Sequence, residues 1–287
     1  MKINNVLQRL LVFFLGVPIV AALIILLPHY NHLALNIVVI LVSSAGAVEF
    51  ARMLKAKGLP VYITEAAILG SLAPLSATVI VSMETNIQFD KAFYILGASW
   101  VLVSEIFLYK SKTNYSNVIS RIAAAFSIII YPGLFLSWII RLASLPHSTI
   151  IILCFALAVI ANDSLAWFSG KLFGKNNKGI FSVSPNKSVA GYIGGMTASI
   201  AVCTALAYVY PEAFKPTLMA KLPSAILLGF FCGLTVILGD LAESAIKRSC
   251  GFDDSGSLIP GRGGVLDSTD SIALSAPLFY FLYVLFF

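Results

Sequence analysis

The stretch LLVFFLGVPIVAALIILL, from Leu10 to Leu27, carries no charge and is long enough to cross a hydrocarbon core, for which a helix needs about 20 apolar residues. Its apolar residues run without a break, whereas a barrel strand would alternate apolar and polar positions over about ten residues. A helix closes every backbone hydrogen bond inside its own segment, and that permits such a run to sit in lipid. Outward from this stretch the pattern repeats, giving spans near Leu7 to Leu27, Leu33 to Phe50, Val61 to Met83, Ala92 to Tyr109, Ile119 to Ile140, Thr149 to Gly170, Gly191 to Tyr210, Ser224 to Ile246 and Ser271 to Phe287. The expected fold is an all-α polytopic membrane protein of about nine transmembrane helices.

Composition agrees. Of 287 residues 59% are hydrophobic and 11% charged, with a mean hydropathy of +0.93, against roughly 25% charged in a soluble domain. A soluble globule and a disordered chain are both excluded. Cys154, Cys203 and Cys232 lie within apolar runs and Cys250 stands alone in a polar stretch, so neither a disulfide framework nor a zinc site is indicated. The basic start before the first run resembles a signal peptide, but the run has full spanning length and no small-x-small cleavage site, so it reads as an uncleaved first helix.

The net charge is +6. Alternating the loops between two sides leaves only Lys91, Arg141, Lys215 and Lys221 of the 19 lysines and arginines on the second side. By the positive-inside rule the first side, and with it the N-terminus, faces the cytoplasm. Basic residues confined to short loops between spans point to anionic lipid and anionic ligands as partners, not to nucleic acid. With no repeat or soluble insertion, the chain reads as one transmembrane domain over residues 1–287, in which 1–147 is mainly scaffold and 148–287 holds the catalytic helices and cytoplasmic loops.

Candidate chemistry gathers in the second half. The sixth span ends in AVIANDSLAWFSGKLFGKNNKG; Asn162 and Asp163 sit about two turns from its end, where a carboxylate is costly. Gly174, Lys175 and Lys178 follow, then Ser184, Lys187 and Gly191, a composition suited to phosphate oxygens. On the eighth span Asp240, Ser244 and Lys247 fall at i, i+4 and i+7 and share one helix face, with Glu243 and Arg248 beside them. The strongest feature is SLIPGRGGVLDSTDS, Ser257 to Ser271. Gly261, Gly263 and Gly264 leave backbone N–H groups open at a turn, Arg262 adds a fork of donors, and Asp267 and Asp270 add hard oxygens suited to Mg²⁺. No Walker A loop or dinucleotide fingerprint is present. Glu49 and Glu105 read as interfacial, and Glu65 as a bundle-facing contact near the opposite interface. His29, His32 and His147 fall in or near non-cytoplasmic loops, so no histidine base is expected.

On these residues the chain resembles the CTP:phosphatidate cytidylyltransferases (CDP-diacylglycerol synthases). Their signature runs S-x-x-K-R, then K-D after four residues, then P-G-H-G-G-x-x-D-R-x-D. Ser244, Lys247, Arg248, Asp254, Pro260, Gly261, Gly263, Gly264, Asp267 and Asp270 match it. The similarity also takes in Gly239-Asp240, Asn162-Asp163, Gly174-Lys175, Ser184-Pro185, Lys187 and Gly191; the first five spans resemble the family in hydropathy alone. The resemblance implies transfer of cytidylyl from CTP to phosphatidic acid, with Mg²⁺ and room for a second cation; the basic loops fit a bacterial inner membrane with the site facing the cytoplasm. It implies Asp240 and Asp267 as metal carboxylates, and Ser244, Lys247, Arg248 and Arg262 on phosphates. Asp163 and Asp270 would support the site, and Lys175 and Lys187 would guide the triphosphate. A homodimer is consistent with the family. Asp253 stands where the family has Lys, Arg262 where it has His, and Ser268 where it has Arg. Those departures keep open a member that binds lipid or nucleotide without turnover. An ion-coupled transporter would need acids near the midplane and interrupted helices in related halves, and no such halves are visible.

Overall fold

The computed structural model describes residues 5–83, 95–104 and 116–287, with side chains from residue 14 onward. Among the described residues the helices are α1 (Asn5–Leu26), α2 (His29–Ala56), α3 (Ile63–Met83), α4 (Ile95–Ser104), α5 (Val118–Leu142), α6 (Ser148–Phe173), α7 (Val189–Val209), α8 (Lys221–Cys250) and α9 (Val265–Phe286). No strand occurs among these residues, and the two β-bridges are isolated. Helices α2, α3 and α5 to α9 are long and apolar enough to cross a membrane, while the described apolar parts of α1 and α4 are shorter. Each expected span overlaps a helix among the described residues, the fourth over Ile95–Ser104 alone.

The polar helix ends run further than the apolar runs. Helix α8 continues beyond Ile246 through Lys247 and Arg248, and α9 starts at Val265, six residues before the expected span. A helix needs only its own backbone to continue past the hydrocarbon, so hydropathy does not mark where it stops. Asp267 and Asp270 therefore lie on the opening turns of α9 and not in a loop before it.

The chain divides into two compact units, Met1–Arg141 with Lys247–Ser268, and Leu142–Ile246 with Thr269–Phe287. In the first unit, small residues bring backbones together, as in close-packed membrane helices. A Cβ on Gly70 would collide with that of Ala47, and one on Gly133 would sit 3.0 Å from the Gly70 carbonyl. The Ser43 hydroxyl lies 2.8 Å from the Gly70 carbonyl and also contacts the Pro132 carbonyl. Pro132 lacks the N–H that would continue the α-helical ladder. Helix α5 widens around it into one π turn, Ile129–Leu134, which turns Tyr131 edge-on to Phe50 and Phe135.

In the second unit Asn162, 1% exposed, holds three helices. Its amide donates to Ser199 Oγ at 3.0 Å and to the Gly233 carbonyl at 3.4 Å. Ser199 in turn donates to the Ala158 carbonyl at 3.0 Å. The far end of α9 is tied down by Thr217, which donates from its N–H to Phe286 O and from its hydroxyl to Leu285 O, each at 2.9 Å. Phe214 stacks edge-on against Tyr283 and Phe287.

Candidate active site

In the first unit the end of α8, the glycine-rich segment and the start of α9 converge on Asp267. Lys247 Nζ donates to Asp267 Oδ1 at 2.6 Å, with side chains 12% and 6% exposed. The other oxygen, Oδ2, accepts from Ser255 N at 2.8 Å, Ser255 Oγ at 2.8 Å and Gly264 N at 2.7 Å. A carboxylate in the first turn is where the helix dipole favours negative charge. The loop before it is a tight hairpin. Ile259 N donates to Gly263 O at 2.8 Å, and Arg262 N and Gly263 N both donate to Ile259 O at 3.1 Å. Gly261 and Gly263 take positive φ of 75° and 99°, a region that residues with a Cβ avoid.

This differs from the open cradle expected of the three glycines. The N–H groups of Gly263 and Gly264 are spent inside the chain. The glycines instead make room for carboxylates: a Cβ on Gly263 would lie 2.5 Å from Asp267 Oδ2, and one on Gly256 2.5 Å from Glu49 Oε1. Arg262 and Asp254 are exposed. Arg248 pairs with Asp253, the residue that replaces a family lysine, and also donates to the Phe252 carbonyl at 3.2 Å.

Glu49 was not among the expected site residues. It is 5% exposed and accepts from Val265 N at 3.0 Å and from Leu266 N at 2.9 Å, with the Ser255 hydroxyl oxygen 3.1 Å from its Oε2. The available signal was a carboxylate within an apolar run, which is costly unless it is paired. The expectation for Glu65 also changes. Arg121 donates to it at 2.9 Å with its guanidinium over the Tyr62 ring, so Glu65 is the bundle-facing contact expected, but at the same end of the bundle as Arg121 and not at the end opposite it. Glu105 lies outside the described residues.

In the second unit Lys187 forms an ion pair with Asp240, the two side chains 30% and 32% exposed. The segment that carries Lys187 is folded on itself. Gly179 N donates to Lys187 O at 3.1 Å and Val189 N to Asn177 O at 3.0 Å, and the Ser188 side chain caps α7 by accepting from Gly191 N at 3.1 Å. Asp163 and Lys175 are exposed, and Ser184 and Ser244 are half-buried. Asp270 is 7% exposed and accepts from Ser271 N at 2.6 Å. Its carbonyl comes so near Gly239 that a Cβ there would sit 2.6 Å away. Glu243 is fully buried.

Among the described residues no three His, Cys, Asp or Glu side chains gather as a metal site, so substrate oxygens or water would have to complete any coordination. Hard carboxylate oxygens are the donors Mg²⁺ takes. Asp240 and Asp267 each already hold an ammonium, from Lys187 and Lys247 respectively. Positive charge is thus favoured at both, and the residues fit a divalent cation at Asp240 and at the Oδ1 edge of Asp267.

A helical membrane chain with the Lys247–Asp267 pair beside a glycine hairpin in one unit, and the Lys187–Asp240 pair in the other, has the parts of a phosphate-handling membrane protein. The chain belongs to the cytidylyltransferase family, whose family model matches residues 7–286. It is 28% identical to a phosphatidate cytidylyltransferase of Synechocystis over 97% of this chain and 96% of that relative. It is 36% identical to one of Bacillus subtilis over 55% of this chain and 56% of the relative, and 39% identical to one of Haemophilus influenzae over 48% and 46%.

Proposed function

We propose that this protein is a membrane nucleotidyltransferase that moves cytidylyl from CTP to phosphatidic acid, releasing pyrophosphate and forming CDP-diacylglycerol. The observation that carries this is the similarity to the Synechocystis phosphatidate cytidylyltransferase along nearly the whole of both chains. A phosphate oxygen of phosphatidic acid attacks the α-phosphorus of CTP in line, and the bond from that phosphorus to the bridging oxygen of the β-phosphate breaks. The attacking phosphate is largely ionised at neutral pH, its second pKa being about 6, so no base is required. Positioning and charge neutralisation supply the catalysis.

Lys247, Arg248, Arg262, Lys187 and Lys175 are the cations proposed to meet the phosphates, with Ser244 and Ser184 as hydroxyl donors. Asp163, Asp254 and Asp270 support them. Asp240 and Asp267 are the proposed carboxylates for Mg²⁺, which when bound would polarise nucleotide oxygens. Until substrate arrives, Lys187 and Lys247 neutralise those same carboxylates. The proposal includes a cytoplasmic N-terminus, a reaction at the cytoplasmic face of a bacterial inner membrane, surrounding membrane lipids and a homodimer.

The Arg248–Asp253 pair favours a second reading, a family member that binds nucleotide or lipid without turnover, because it ties up a cation the triphosphate would use. The deciding experiment is CTP-dependent conversion of phosphatidic acid by the purified protein in detergent with Mg²⁺, run beside Asp267→Asn. Turnover that requires Mg²⁺ and Asp267 is expected. CTP binding without turnover would favour the second reading.

A further inference from the structure

The start of α9 is unusual in where its backbone donors go. The first N–H groups of a helix have no partner inside it, and here four in a row are taken by side chains. Gly264 N donates to Asp267 at 2.7 Å, Val265 N and Leu266 N to Glu49 at 3.0 and 2.9 Å, and Asp267 N to Ser255 Oγ at 3.2 Å. Two of the four end on Glu49, which comes from α2, more than 200 residues earlier in the chain. Glycine is required around it as well, since Cβ atoms on Gly256 and Gly264 would both collide with its carboxylate.

We infer that Glu49 is a positioning residue for the proposed reaction: it holds the glycine hairpin and, through the Ser255 hydroxyl, sets the place of Asp267. The hydroxyl lies 3.1 Å from Glu49 Oε2 and 2.8 Å from Asp267 Oδ2 while accepting from Asp267 N. It has one proton to give, so the two carboxylates compete for it, and moving either acid changes the hydroxyl's hold on the other. Asp267 in turn holds Lys247 at 2.6 Å. The order of dependence runs Glu49, Ser255, Asp267, Lys247, and Glu49 needs no contact with substrate to act.

This inference rests on the cytidylyltransferase reading, and its test separates the two. Glu49→Gln keeps the shape but cannot keep the bonds. Val265 N points at one carboxylate oxygen and Leu266 N at the other, so an amide NH₂ must face a backbone N–H whichever way it turns. Losing a charged acceptor here is expected to lower kcat/KM for CTP by about 10- to 100-fold, with the KM for phosphatidic acid within about twofold of wild type. Amide exchange of residues 255–268, followed by mass spectrometry on the full-length protein in detergent, is expected to quicken by about tenfold, while that of α3 is unchanged. Glu49→Asp, which retains the charge on a shorter arm, is expected to recover part of the kcat/KM loss.

Unchanged exchange in residues 255–268 would overturn the inference. So would faster exchange with an unchanged kcat/KM for CTP, or loss of folded protein with normal kinetics in what remains, both of which mark a purely structural role. A wild-type protein without turnover would sink the cytidylyltransferase reading instead, and the exchange comparison would still decide whether Glu49 holds the hairpin.

Discussion

The Lys247–Asp267 pair is the interaction whose removal the structure prices most directly. With both side chains nearly buried, at 12% and 6% exposed, removing one partner strands a charge, which typically costs about 3–5 kcal/mol. In Asp267→Asn the amide oxygen can take the place of Oδ2 and keep the bonds from Ser255 and Gly264, which leaves an NH₂ against the lysine ammonium. The loss therefore falls on the lysine side. Lys247→Met should be milder, because three donors still serve the carboxylate. Removing both leaves no stranded charge, so Lys247→Met with Asp267→Asn should be little worse than Asp267→Asn alone, with a coupling of about 1–3 kcal/mol. The assay is thermal unfolding of the four proteins in one detergent, where each kcal/mol moves the midpoint by about 2–4 °C for a chain somewhat smaller than this one. Activity measured alongside should fall in all three variants. Losses that add to within about 0.5 kcal/mol would refute the pairing.

Two further outcomes follow from the remaining ion pairs. Lys187→Met breaks a pair about one-third exposed, so stability should change by less than about 1 kcal/mol while the KM for CTP rises about tenfold; steady-state kinetics with an unchanged KM would remove Lys187 from the nucleotide's path. Asp253→Lys releases Arg248 from an exposed partner and adds a cation, so the KM for CTP should fall several-fold at low salt and the gain should fade once the screening length drops to about 8 Å at 0.15 M. An equal KM across that salt series would mean that Asp253 does not hold Arg248 away from nucleotide.

The helices of the described residues were legible because the information that makes a membrane helix is local. An apolar run such as Leu10 to Leu27 needs no distant residue to satisfy its backbone. The family was legible for the same reason, since Ser244 to Asp270 carries the signature in one continuous stretch. Sequence spacing did not reveal the partners. Asp240 was read beside Ser244 and Lys247 on one helix face, yet it pairs with Lys187 from a loop 53 positions earlier. Asn162 was read with Asp163 among the candidate chemistry, and its amide joins Ser199 and Gly233 inside the bundle. Glu49 was read as interfacial, and it meets Ser255 across 206 residues and Leu266 across 217.

The sequence by itself determined the solvent this chain lives in, its all-helical character and the family, because hydropathy and a contiguous motif are properties of short segments. Only the tertiary structure decided which donor each carboxylate receives. In a medium without water every polar group must find a protein partner, and which partner it finds depends on how the helices of each unit pack.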